Sequence, residues 1–286
     1  MEGLQRMLDS IEYMECNLSS DLVIDDIAAA ACMSKFHFQR MFSMLTGYTV
    51  SEYIRNRRLT VAAQELVYSE AKVIDTALKY GYESPESFSK AFRKIHGISP
   101  LAAKRQSQSL KAYPKLSFQI QLKGDVEMDY RIVEKEAFKV VGKSIRTNTI
   151  GGENNRNIAD FWKVSNQNGF VNELEHNCGP LGVVGICMDF DKDQENLTYL
   201  IGAEKNIDQL PSDWEERQIP SASWAVFPVH GAMPGAIPKV WERIFSEWFP
   251  STGYEHADGP EMEVYESDAD PYQEDYYSEI WIPIKK

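Results

Sequence analysis

Lys35, Phe36, Gln39 and Arg40 occupy one side of a short stretch whose other side, Phe38, Met41, Phe42 and Leu45, is apolar. In a major groove an amide can donate to adenine N7 while accepting from its N6, and a neighbouring guanidinium can donate to both O6 and N7 of guanine. Fifty residues further on, Pro85, Glu86, Ser87, Ser89 and Lys90 fill the corresponding places. Ser and Lys suit phosphate better than base edges, so the first stretch is expected to carry more of the sequence preference. Between the two lie Arg55, Arg57 and Arg58. An ion-paired, solvated face competes with a phosphate role for such a cluster, but its place between two reading stretches favours at least one phosphate contact, assigned to Arg55.

These side chains need helices to present them, and the spacing supplies two. Asp25, Ser34, Phe38, Phe42, Gly47 and Arg55 recur at an offset of 50 as Asp75, Ser84, Phe88, Phe92, Gly97 and Arg105. In each copy a Ser stands as an N-cap, two Phe four apart make an apolar face, and a Gly closes the helix. A short helix and a tight turn precede each copy. Two helix-turn-helix elements follow, and hence two helices for two DNA grooves. Leu4, Met7, Leu8, Ile11 and Met14 keep helical spacing ahead of them, and a long helix from about Val50 to Tyr68 connects them. Residues 106–127 lose this period and read as a linker finishing in a strand.

From Met128 the period turns towards two. MDYRIVE, FKVVGKSIR, LGVVGICMDF, LTYLIGAE, SWAVFPVHG, MEVYES and SEIWIPIKK read as strands, interrupted by helical stretches near Ile158–Gln167 and Pro238–Phe249. Each half gives strand, helix, strand, strand, a second internal duplication of about 80 residues. The expectation is an α+β domain with a mostly antiparallel sheet, helices on one face and the other face open. In the last strand Glu279, Trp281 and Pro283 alternate with Ile280, Ile282 and Ile284, so the Ile face must meet the helices while a carboxylate shares the other face with a large ring. An ordinary solvent-facing Glu competes with a binding role there. Much of this part's aromatic content is expected to be core.

Composition divides the work. Net charge is −13, but residues 1–111 hold 14 Lys+Arg against 13 Asp+Glu, and residues 112–286 hold 16 against 30. Only the first part can face phosphate. Cys16, Cys32, Cys178 and Cys187 form no CxxC pair and read as buried, reduced thiols. No run approaches the roughly 20 apolar residues of a membrane span and no charged-then-apolar leader opens the chain, so a cytoplasmic protein is expected.

The segments IAAAACMSKFHFQRMFSMLTGYTVSEYIRNRRLTVAAQEL and VIDTALKYGYESPESFSKAFRKIHGISPLAAKR resemble the AraC/XylS family of transcription regulators over about residues 5–107. The resemblance implies a monomeric seven-helix domain whose two recognition helices enter successive major-groove segments. By it Phe36, Gln39 and Arg40 are base or near-base contacts, and Ser87 and Lys90 contacts of the second helix. Glu86 departs from the pattern, standing where a polar uncharged residue is common. Residues 127–286 resemble the GyrI-like effector-binding family in the tail EIWIPIKK, the element order and the duplicated layout. That resemblance implies a cleft between the halves in which an acid at the position of Glu279, with Trp281 and Tyr199, takes a lipophilic cation by charge and cation–π attraction. Reader first and GyrI-like domain second resembles the Rob branch of the AraC family.

The sequence thus divides into a DNA-binding domain at 1–107, a linker at 108–126 and an effector domain at 127–286. Double-stranded promoter DNA and a small amphipathic or cationic effector are the expected partners, with RNA polymerase a further one that this role allows. No cofactor is expected. The expected role is control of efflux or stress genes. Two alternatives stay open: hydrolysis of a reactive cytotoxic compound with Glu279 as general base and a second, unidentified carboxylate, or binding of a protein by the acidic domain. Gly142-Lys143-Ser144 fails the P-loop pattern because Ala137 stands where Gly is required. His176 and Cys178 have no second pair at metal spacing. The acidic run 259–277 reads as a solvated loop.

Overall fold

The computed structural model describes residues 2–105, 110–117, 127–176, 178–206, 209–267 and 269–286. The chain divides into two compact units, residues 1–35 with 50–122, and residues 36–49 with 123–286. The linker expectation falls largely outside the described residues, and 110–117 has no regular structure.

The first unit holds α1 (Glu2–Cys16), α2 (Ile24–Ala30), α4 (Val50–Tyr68), α5 (Val73–Lys79), α6 (Pro85–His96) and α7 (Pro100–Arg105). Ser84 caps α6 by accepting from Ser87 N at 3.1 Å, Pro85 opens its first turn, and Gly97 closes it at φ 77°. Phe88 and Phe92 are fully buried and pack with Leu59 and Leu66 of α4, Ala77 of α5 and Tyr80, the residue that caps α5. Burying a large side chain is worth about 1.5–3 kcal/mol, so this pair anchors the C-terminal helix-turn-helix. Cys16 and Cys32 are exposed, which corrects the expectation of buried thiols.

The second unit comprises α3 (Lys35–Thr46), all but Lys35 of it, and an α+β domain. Its strands are β1 (Arg131–Lys135), β2 (Phe138–Asn148), β3 (Cys178–Met188), β4 (Asn196–Lys205), β5 (Glu215–Ile219), β6 (Ala222–His230), β7 (Glu255–His256), β8 (Glu261–Tyr265) and β9 (Tyr277–Lys285). After β2 come α8 (Glu153–Gln167) and α9 (Phe170–His176); after β6 come α10 (Ala236–Arg243), a π-helical turn Ile244–Trp248 and α11 (Phe249–Thr252). The pairing is antiparallel throughout, in the order β1-β6-β9-β8-β3-β4-β2-β5, with β7 on β9. The order is symmetric about the β8–β3 pair: β9, β6 and β1 on one side match β4, β2 and β5 on the other. This is the expected duplication, extended by β5, β7 and α9, which lacked a clear period in the sequence.

Only Pro220 and Ser221 separate β5 from β6, yet the two strands stand near opposite ends of the order. The sheet must therefore curl. Curling closes the face expected to be open: Phe138, Val184, Ile186, Leu200, Ile219, Trp224, Val226, Met262 and Trp281 form one core cluster across it. The opposite face carries Val141, Leu197, Tyr199, Ile201 and Ala203 against Phe170 and Leu174 of α9.

Candidate functional site

Strand β8 lies at the centre of the sheet; it is the strand expected from MEVYES, running from Glu261 to Tyr265, so the loop reading of 259–277 does not hold there. Met262 joins the core under the curl, so Glu261, Glu263 and Tyr265 face the helix-bearing side. Glu263 pairs across β3 with Gly185, where a Cβ would stand 2.2 Å from the Tyr199 hydroxyl and 3.5 Å from the Trp162 ring. Glycine leaves the space those rings use.

Around Glu263 the walls come from both halves of the duplication. Trp241 of α10 donates from Nε1 to Glu263 Oε1 at 2.9 Å, and the Tyr265 hydroxyl donates to Oε2 at 2.6 Å. Trp162 of α8 meets Tyr265 edge-on at 4.9 Å and donates to the Tyr199 hydroxyl at 2.8 Å. Tyr199 is buried, while Glu263, Trp162, Trp241 and Tyr265 are only half-buried. Both donors to Glu263 are neutral. Burial raises its pKa above the ordinary carboxylate value; the Tyr265 and Trp241 hydrogen bonds oppose this, and the Glu261 charge adds to it. A carboxylate whose donors among the described residues are neutral, walled by four rings, has the chemistry to take a positive group with aromatic or apolar bulk.

Glu279 is differently placed. It pairs across β9–β8 with Val264 and so lies on the face opposite Glu263. Arg131 Nη2 reaches both its oxygens at 2.8 Å, Trp281 Nε1 donates at 2.8 Å, and the Tyr277 hydroxyl also donates. Burial would raise its pKa, but Tyr277, Arg131 and Trp281 outweigh this and hold it below the ordinary value. Of the three residues expected together, Tyr199 stands at Glu263, while Glu279 and Trp281 share the curled face. Ile280, Ile282 and Ile284 are buried as expected, and Phe227, opposite Ile280, meets Trp248 of the π turn at 5.0 Å.

The expected DNA-facing residues divide similarly. On α6, Ser87 and Lys90 are exposed and Ser89 is half-buried. Arg93 and Lys94, one turn beyond Lys90, are exposed too and extend a basic face the sequence reading did not single out. Lys35 ion-pairs with Asp25 at 3.1 Å. Arg55 is half-buried on α4. Its neighbours are structural: Arg57 makes a two-point contact with Glu15 at 2.8 and 2.7 Å, and Arg58 donates to the carbonyls of Leu18 and Ser20.

Phe36, Gln39 and Arg40 are covered by their own unit. Arg40 donates from Nε and Nη2 to the two oxygens of Glu261 at 2.7 and 2.6 Å. Gln39 Nε2 donates to the Lys192 carbonyl at 3.0 Å, and Phe36 packs on His256 at 4.9 Å and Phe190 at 6.0 Å. His256 Nε2 lies 2.8 Å from Glu261 Oε1, and its backbone N–H donates to His37 Nδ1 at 3.0 Å. Burial would raise the Glu261 pKa, but the Arg40 charge and His256 bring it down to about 2. Lys143 of the discarded P-loop stretch pairs with Asp213 at 2.6 Å, and His176 hydrogen-bonds the Asn172 carbonyl. The Cys178 side chain lies outside the described residues. Among those residues no helix is long and apolar enough to cross a membrane.

Comparison with known proteins meets this geometry at both ends of the chain. Residues 128–285 match the model of a GyrI-like small molecule binding domain, and residues 27–106 match that of a helix-turn-helix domain of the AraC type. The Tn10 transposon TetD protein of Escherichia coli is 41% identical over 92 residues, 32% of this chain and 67% of TetD. The transcriptional regulator Rob of Salmonella typhimurium is 37% identical over 100 residues, 35% of each chain, so the match spans about a third of Rob. The structure of SAV2435 bound to tetraphenylphosphonium is similar in fold at TM-score 0.50 and 24% identity, over 55% of this chain and 94% of that one.

Proposed function

We propose that this chain, which belongs to the GyrI-like small-molecule-binding family and carries an AraC-type helix-turn-helix domain ahead of it, is a one-component transcription regulator answering to a lipophilic cation. The observation that carries the effector class is Glu263: a half-buried carboxylate whose hydrogen-bond donors, Trp241 and Tyr265, are neutral. Such an acid is relieved by an incoming cation, and Trp162, Trp241, Tyr199 and Tyr265 give that cation apolar walls. SAV2435, whose fold is similar, was solved with a cation of this kind.

At the DNA end, α3 supplies Lys35, Phe36, Gln39 and Arg40 as the base-reading set. Ser87, Ser89, Lys90 and Arg55 hold phosphate, joined by Arg93 and Lys94. Efflux or stress genes are the targets such an effector fits, and RNA polymerase the further partner of an activator.

The test is calorimetric titration of the full chain with tetraphenylphosphonium, repeated with Glu263→Gln and Glu279→Gln. Saturable binding that Glu263→Gln weakens and Glu279→Gln spares supports the reading. Loss only in Glu279→Gln moves the effector to the Arg131 side of the sheet, and no binding in the parent protein sinks the cation class.

A further inference from the structure

Three of the four side chains of the base-reading set, Phe36, Gln39 and Arg40, are already engaged inside the second unit. The Arg40 fork, suited to guanine O6 and N7, grips the two oxygens of Glu261 at 2.7 and 2.6 Å. The Gln39 amide, suited to adenine, is spent on the Lys192 carbonyl. Phe36 lies against His256 and Phe190. Gln39 and Arg40 keep 4% and 8% of their surface, too little for either to meet a duplex in this arrangement.

Resting on the regulator reading above, we propose that β8 locks the reading helix. Glu261 takes the place of a DNA acceptor on Arg40, so that promoter DNA and the effector domain compete for one face of α3. The bond that closes the lock is a two-point charge-assisted pair, the strong form of side-chain hydrogen bond. It is buried, so separating it without a substitute partner strands a charge. DNA supplies that substitute for Arg40, and His256 remains with Glu261 at 2.8 Å. The two arrangements of α3, seated and released, are the two states a switch requires.

The lock is wired to the effector site. Glu261 and Glu263 are two apart on one face of one strand. A row of side chains also joins them: the Arg40 guanidinium lies 6.0 Å from the Phe245 ring, Phe245 stacks on Trp241 at 6.0 Å, and Trp241 donates to Glu263 at 2.9 Å. Phe245 belongs to the π-helical turn, a local departure from α geometry often found at functional sites. A cation entering at Glu263 competes with the Trp241 donor, and a shift of Trp241 disturbs the stack on which Arg40 rests. Effector binding therefore favours the released helix.

The test uses the full chain and a duplex selected by it from a randomised pool. Glu261→Gln removes one member of the pair, and its DNA affinity should rise roughly tenfold, within the 5–150-fold span usual for coupled sites. Tetraphenylphosphonium should raise wild-type affinity and leave Glu261→Gln unmoved. Equal or weaker DNA binding by a folded Glu261→Gln would overturn the lock. A second measurement needs no variant: with wild-type protein saturated by the duplex, hydrogen exchange over 255–265 should speed up while α3 becomes protected. Protection of α3 with exchange over 255–265 unchanged would also overturn it. The cation reading fails separately, in the tetraphenylphosphonium titrations of the parent protein; that failure removes the ligand effect on DNA affinity but leaves the Glu261→Gln and hydrogen-exchange results standing.

Discussion

Glu261 and Glu263 share one face of β8, two residues apart, and their environments drive them in opposite directions. Glu261 sits between Arg40 and His256 with its pKa near 2, fixed as a carboxylate. Glu263 meets neutral donors, and burial raises its pKa. Two titratable groups whose surroundings separate them in this way are given different work: one holds a structural charge and the other waits for a partner.

Replacing Glu263 by Gln should then have two effects of opposite sign. Tetraphenylphosphonium should lose roughly tenfold or more in affinity, about 1.4 kcal/mol. The ligand-free protein should become no less stable at neutral pH, because the substitution deletes a disfavoured charge and keeps an acceptor for Trp241 and Tyr265. Titration calorimetry and a thermal melt on the same preparations check both, and a variant that binds normally would remove Glu263 from the site.

Gly185 makes a sharper steric case. Its Cβ would fall 2.2 Å from the Tyr199 hydroxyl, and Tyr199 is buried, so the ring cannot swing into solvent. Gly185→Ala should cost about 1–3 kcal/mol, the usual range for overpacking, and disturb cation binding because Tyr199 holds Trp162 at 2.8 Å. Denaturant unfolding measures the first and calorimetry the second. Full stability in the alanine variant would mean that Tyr199 has room to move.

The helical third was legible because each element carries its own punctuation: Ser84, Pro85 and Gly97 bound α6 in the sequence as in the structure. Most strands were legible from alternation. What alternation cannot say is which face closes, and that is why it does not show Glu279 and Glu263 on opposite faces of the sheet. Glu279 beside Trp281 looked exposed because the curl that buries Trp281 depends on β5 and β6 meeting across the whole sheet. Glu263 lies in MEVYES, which alternation read as a strand, but nothing in that alternation sets it apart from Glu261 on the same face. Arg40 could be assigned a DNA role from its helix, but a partner 221 positions away is a tertiary fact that no local pattern carries.

The second reading helix gives a prediction independent of the lock. Lys90, Arg93 and Lys94 are exposed on α6, which is held by its Ser84 cap and by Phe88 and Phe92. Each Lys or Arg that touches phosphate contributes about 0.9 to the slope of log affinity against log salt. Alanine at Arg93 should therefore flatten the slope by about one unit without changing the preferred site. Ser84→Ala should instead lower stability by about 1 kcal/mol through loss of the cap. A salt series on a fixed duplex reads the former and denaturant unfolding the latter. An unchanged slope would turn this face of α6 away from the duplex.

His37 makes the seat of α3 sensitive to acid. Its Nδ1 accepts from the His256 backbone N–H, and its ring meets Phe249 at 4.9 Å. Burial, helped by the charges of His256 and Lys285 and opposed by Glu255, lowers its pKa from 6.5 to about 4. Unfolded, the ring takes up its proton near 6.5, whereas in the fold it resists until about 4. Between those values the unfolded state binds more protons, so stability rises with pH across the window. The contribution is intact above about 6.5 and declines as the pH falls to about 4, with a full span on the order of 3 kcal/mol. Glu261, held near 2 in the fold against an ordinary 4.5, adds slope of the same sign only at the acid end of that interval, where the unfolded carboxyl begins to take up its proton. His37→Asn keeps an acceptor but cannot titrate, so its urea midpoint should vary less between pH 6.5 and pH 4 than that of the wild type. Two parallel profiles would show that His37 is not the group that takes up the proton.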